Sequence, residues 1–175
     1  DVQGRVIDGS GAPVNPSGFA IHGAVLAARP DAVCVMHLHT LWGQTLAAMP
    51  SSDGGLLPCS QPALRLWRRL GRHAYEGLAF DAAERDRLVS ALGSLDGLIL
   101  ANHGTLTVGR TVAEAFVLMH LLERAAQIQI AAMAAGGVAC VSEEVATRTQ
   151  RQWVGDGTSP EGEDEWPALL RSLDT

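Results

Sequence analysis

Residues 33–40 read Val-Cys-Val-Met-His-Leu-His-Thr, an apolar run interrupted twice by histidine. Its β-branched start and the Pro30-Asp31 turn signal upstream predict a strand buried on both faces. Alternation along a strand sends His37 and His39 to one face. Cys34, Met36 and Leu38 then point the other way, into a core. The two histidines would stand about 6.5–7 Å apart along the strand. Imidazole nitrogens bind metal at about 2.0–2.1 Å, so two such rings can converge on one ion lying between them. Taken alone, His-x-His is weak evidence, and two histidines satisfied by backbone or carboxylate partners are the simpler reading.

A third histidine changes the balance. His103 sits in Ala-Asn-His-Gly at 101–104, where the apolar run Gly-Leu-Ile-Leu-Ala ends at a turn. Such strand ends commonly carry functional side chains, and Gly104 permits a tight backbone there. Three protein ligands with open positions left for water or substrate is the pattern of a catalytic metal site. His22, in mid-helix, and His120, in the apolar run of a long helix, read as structural residues, and His73 is left unassigned. Tyr75 is the only tyrosine. In a loop beside Glu76 and Gly77, it reads either as a proton donor or as a packing residue at a subunit contact. Glu76 reads as a solvated turn residue.

The chain as a whole excludes several alternatives. Its 175 residues suit one domain with a real core. With 47% hydrophobic residues, 18% charged and a net charge of −6, it lacks the concentrated positive charge that a nucleic-acid partner needs. Every one of the 13 basic residues is arginine, which rules out a lysine Schiff base or a phosphate-loop lysine in these residues. Cys34, Cys59 and Cys140 form no Cys-x-x-Cys pair, so no disulfide framework or thiolate zinc site is indicated, and a reducing cytoplasm is expected. No apolar stretch reaches the ~20 residues of a membrane span. The N-terminus has neither Met nor a signal-peptide pattern and reads like the interior of a fold, so a fragment is expected.

Helices are predicted from the Asn15-Pro16 cap to the residue before Arg29-Pro30, over 41–49, over 60–71, from the Asp81 capping box to Leu92, and from Thr111 to Gly136-Gly137. Strands are predicted at 97–101 and 105–108. The acidic, Gly- and Pro-rich segment 154–165 reads as a linker, and 165–174 as a short docking helix. The class is α/β and layered, with the sheet topology left open by the pattern.

Taken together, these residues resemble the class II aldolase/adducin family across nearly all of 5–137, nearest its adducin-like bacterial branch. The carriers are NPSGFAIHGAVLAARPDAVCVMHLHT, GLLPCSQPAL, HAYEG and LILANHGTLTVGRTVAEAFVLMHLLERAAQIQ. The resemblance implies a three-layer α/β/α fold with a mixed, mostly antiparallel sheet, assembled as a homotetramer around a small-molecule substrate. Residues 1–152 would form the family domain without its N-terminal part, and 153–175 the acidic linker and docking helix. It further implies that His37, His39 and His103 bind a divalent ion, commonly zinc, with iron or manganese as alternatives. In the sugar-phosphate aldolases of the family that ion polarises a carbonyl and stabilises an enediolate as a carbon–carbon bond breaks. Tyr75 falls near a tyrosine proton donor that those aldolases take from a neighbouring subunit, and Ser17 matches one of a pair of phosphate-contacting serines. Gly18 stands where those enzymes carry a catalytic glutamate. The same site without that carboxylate could instead serve an iron oxygenase, a decarboxylase or an epimerase, and the fold could also serve as a non-catalytic, adducin-like scaffold.

Overall fold

Four strands form one sheet in the order β1 (Cys34–Leu38), β4 (Gly104–Gly109), β3 (Gly97–Leu100), β2 (Leu70–His73). The computed structural model describes residues 1, 4–50, 55–77 and 82–173. β1–β4 and β3–β4 pair antiparallel, whereas β2–β3 pair parallel, so the sheet is mixed and mostly antiparallel. Strand alternation then divides the core. Leu98, Leu100, Leu106, Val108 and Val35 face α1 (Pro16–Ala28) and α4 (Ala82–Leu92), where they meet Ile21, Val25, Leu88 and Leu92. Ile99 faces the other way, toward Leu46, Leu118 and Leu122 of α2 (Leu41–Ala48) and α5 (Val112–Ala134). Thr105 and Thr107 share that second face, and their hydroxyls are satisfied by Met119 Sδ at 3.3 Å and by the Ala115 carbonyl at 2.8 Å. The result is the expected three-layer α/β/α arrangement.

Helix starts follow local chemistry. Asn15 Oδ1 accepts from the Ser17 N–H at 3.1 Å ahead of Pro16, and the Thr111 hydroxyl accepts from the Glu114 N–H at 3.0 Å. The expected Asp81 cap lies outside the described residues.

Two expectations are corrected and one helix is added. The helix read over 60–71 stops early: α3 covers Gln61–Arg65, Arg68 turns the chain at φ 59°, and β2 follows. Ladder bonding to β3 outweighs the helix propensity of Leu-Trp-Arg-Arg-Leu, because a strand there satisfies a backbone that β3 would otherwise leave unpaired. A twelve-residue helix, α6 (Glu143–Val154), was not read from sequence at all. Finally, β1 is not buried on both faces. Among the described residues it is an edge strand with a neighbour on one side only, so Val33 and Leu38 are 69% and 39% exposed, and Leu38 enters no core.

The segment after α6 lies against the domain. Arg110 donates to the carbonyls of Gly157 and Ser159, and Glu161 pairs with Arg65 at 2.6 Å and Arg69 at 2.5 Å. Trp166, opening α7 (Trp166–Arg171), packs edge-on against Phe116 at 5.5 Å. Among the described residues no helix is long and apolar enough to cross a membrane.

Candidate metal centre

The antiparallel pairing of β1 with β4 brings the end of β1 to the start of β4, and the β3–β4 turn lies at that same end. His37 sits within β1 opposite Leu106, His39 one residue beyond the strand, and His103 at the last position before β4. Their rings meet. Centroids lie 4.8 Å apart for His37–His39 and 4.7 Å for each of the pairs with His103, with interplanar angles of 66–79°. One ring nitrogen from each falls within 4.8 Å of the others. His37 Nε2 and His39 Nε2 are 3.0 Å apart. Two nitrogens bound to one ion at about 2.0–2.1 Å stand about 2.9–3.4 Å apart for bond angles of roughly 90–110°. The His37–His39 pair therefore fits a single divalent ion, and His103 offers a third nitrogen within 4.8 Å.

Backbone contacts fix the turn that carries His103. The His103 N–H donates to the Leu100 carbonyl at 3.0 Å, and the Asn102 N–H to the Ala47 carbonyl at 3.0 Å, with Asn102 itself at φ 55°. The left-handed residue of this turn is thus asparagine, which tolerates it, and not Gly104. Gly104 serves a different purpose: a Cβ there would lie 2.5 Å from the Leu38 carbonyl oxygen and 3.0 Å from His39 Cδ2. Only a residue without a side chain lets β1 and the His39 ring come so near.

Glu123 of α5 is a positioning residue that the sequence reading missed. Its carboxylate accepts from the Thr40 hydroxyl at 2.6 Å, the Gly43 N–H at 2.8 Å and the Trp42 N–H at 3.2 Å. Thr40 makes no side-chain cap of its own, so Glu123 caps α2 from across the core, directly after His39. The available signal was a lone carboxylate inside the apolar run Phe-Val-Leu-Met-His-Leu-Leu-Glu.

Electrostatics favour neutral rings at His37 and His103. His37 Nδ1 lies 2.9 Å from the Thr105 carbonyl, which can only accept, so Nδ1 carries the proton and Nε2 presents its lone pair to the cluster. Burial pushes the His37 pKa down to about 4. The bond to Thr105 partly opposes this, and His103, His39 and His22 reinforce it. His103 is lowered as well, by burial and then by His39.

The remaining predicted residues fall as follows. Tyr75, 52% exposed, stands 6.5 Å between ring centroids from His103 of its own chain. Ser17 lies at the α1 cap, its hydroxyl donating to Asn15 Oδ1 at 3.0 Å. At Gly18 a Cβ would meet nothing nearer than Asn15 at 3.9 Å, so the position has room for a side chain. His22 is half-buried on α1, with its pKa lowered by burial, whereas His120 is exposed on the outer face of α5 and fills no core.

Residues 1–130 match the family model described as the class II aldolase and adducin N-terminal domain. A provisionally named aldolase class 2 protein of Caulobacter vibrioides is 43% identical over 175 residues, covering 99% of this chain and 67% of that protein. A solved aldolase II superfamily protein from Pseudomonas syringae superposes with TM-score 0.91 at 39% identity, over 99% of this chain and 69% of its own. The structure of L-fuculose 1-phosphate aldolase from Glaciozyma antarctica superposes with TM-score 0.76 at 28% identity, over 87% of this chain and 58% of that one.

Proposed function

The chain belongs to the class II aldolase and adducin family, and we propose that it is a divalent-metal-dependent, lyase-like enzyme acting on a small carbonyl-bearing substrate, with zinc as the favoured ion. The observation that carries this reading is the convergence of His37, His39 and His103 with ring nitrogens within 4.8 Å of one another. A divalent ion held there supplies Lewis-acid polarisation of a substrate carbonyl at the positions its three protein ligands leave open. The chain's own residues do the rest. His37 and His103 offer neutral rings, and the Thr105 carbonyl fixes the tautomer of His37. Tyr75, half exposed with its ring centroid 6.5 Å from that of His103, would serve as the proton donor. Ser17, in the first turn of α1, would meet an anionic group of the substrate at the helix N-terminus. A homotetramer in the cytoplasm completes the proposal.

Gly18 favours a second reading in which the ion is kept but the reaction is not an aldol cleavage. A glycine exchanges no proton, so the step that a carboxylate performs in the sugar-phosphate aldolases needs another group or another chemistry, such as oxygen activation, decarboxylation or epimerisation. Assaying wild type and Gly18→Glu, both zinc-loaded, against a panel of short hydroxy-ketone phosphates separates the two. Cleavage by wild type supports the lyase; cleavage by Gly18→Glu alone supports the second reading.

A further inference from the structure

Behind the Tyr75–His103 contact lies a small cell of about 10 Å³, the room that one water occupies. His73, Glu84, Tyr75 and His103 contribute to its wall, and Leu88 and Leu100 supply apolar surface. His73 ends β2 and is only 7% exposed, and its Nε2 has no hydrogen-bond partner among the described residues. Glu84, in the first turn of α4, is 6% exposed and lines the same cell. A buried ring nitrogen is rarely left in that condition, and a buried acidic residue in the wall of the same water-sized cell points to a bridging water as its partner.

We propose that one water occupies this cell, bonded at once to His73 Nε2 and to the Glu84 carboxylate, and that the bridged pair positions the wall carrying Tyr75 and His103. Connectivity supports this. Tyr75 follows His73 by two residues, and the His73 carbonyl accepts at 2.9 Å from the Ala101 N–H, which opens the turn ending in His103. Anchoring the His73 ring therefore anchors both the exposed tyrosine and a candidate metal ligand. His73 and Glu84 act through their neighbours and touch no substrate. The consequence for metal affinity rests on the metal reading above; the water and the placing of Tyr75 do not.

Tyr75 is the only tyrosine, so 3-fluorotyrosine labelling gives one ¹⁹F resonance that reports on it alone. His73→Gln keeps a polar atom near the Nε2 position, and His73→Leu removes it. His73→Gln is expected to retain the wild-type resonance and zinc affinity. His73→Leu is expected to shift or broaden the resonance and weaken zinc binding by about 10-fold, the lower end for lost outer contacts of a ligand shell. A folded His73→Leu protein with an unmoved resonance would overturn the proposal. Should His73→Leu fail to fold, a crystal structure of the wild type decides: density for a water between His73 and Glu84 supports the pair, and a direct protein partner on Nε2 overturns it. Wild type that takes up no zinc but shows the resonance shift in His73→Leu refutes the metal reading and leaves this one standing.

Discussion

Removing the Glu123 carboxylate is the sharpest test of how the metal face is held. Three donors converge on it: the Thr40 hydroxyl, the Gly43 N–H and the Trp42 N–H, at 2.6, 2.8 and 3.2 Å. Hydrogen bonds to a charged acceptor contribute about 1.5–3 kcal/mol each when fully buried. Losing a helix cap alone costs about 0.5–2 kcal/mol. Glu123, Thr40 and Trp42 are only half-buried, so water replaces part of the loss. Glu123→Ala is therefore expected to cost about 2–3 kcal/mol in all. For a chain of this size that lowers Tm by roughly 5–10 °C. Glu123→Gln keeps one acceptor oxygen and should cost about half as much. Because His39 directly precedes Thr40, zinc affinity of Glu123→Ala should also fall by about 10-fold. Circular-dichroism melts in chelator, paired with zinc titrations, measure both. A melting temperature within about 1 °C of wild type, with zinc affinity unchanged, would refute the role assigned to this residue.

Other outcomes follow from single contacts. Gly104→Ala places a methyl 2.5 Å from the Leu38 carbonyl, so it should cost about 1–3 kcal/mol by chemical denaturation and weaken zinc uptake. Gly18→Glu meets open space, with Asn15 no nearer than 3.9 Å, and should leave stability within about 0.5 kcal/mol by the same method. Burial pushes the Glu114 carboxyl up, but bonds from the Arg110 side chain and N–H and from the Glu161 N–H outweigh it and hold the pKa below its ordinary value. Its stabilising contribution is then present above the ordinary carboxylate range and lost as pH falls through the depressed folded value. Acid titration of Glu114→Gln should accordingly show a shallower loss of stability below about pH 4.5 than wild type.

The three clustered histidines were legible because strand alternation and turn chemistry are local. His37 and His39 share a strand period, and Asn-His-Gly ends an apolar run. What escaped the sequence depends on partners distant in the chain. β2 exists because Leu70–His73 finds β3 some 27 residues later, as the register Leu70↔Gly97 records, whereas Leu-Trp-Arg-Arg-Leu by itself favours helix. The exposure of Leu38 follows from the edge position of β1, which no property of Val-Cys-Val-Met-His-Leu reveals. Gly104 was read as a turn glycine, yet its neighbour Asn102 takes the left-handed position, and the glycine answers to the Leu38 backbone across the ladder. Glu123 caps a helix some 80 residues before it, so only the folded chain shows what it holds.

Metal content measured by mass spectrometry on protein purified without added metal tests the central claim most directly. Wild type should carry about one divalent ion per chain, zinc foremost, and His39→Ala should lose nearly all of it while remaining folded, because two remaining rings hold an ion far less well than three. Wild type with intact histidines and no stoichiometric ion, or His39→Ala retaining a full complement, would contradict it.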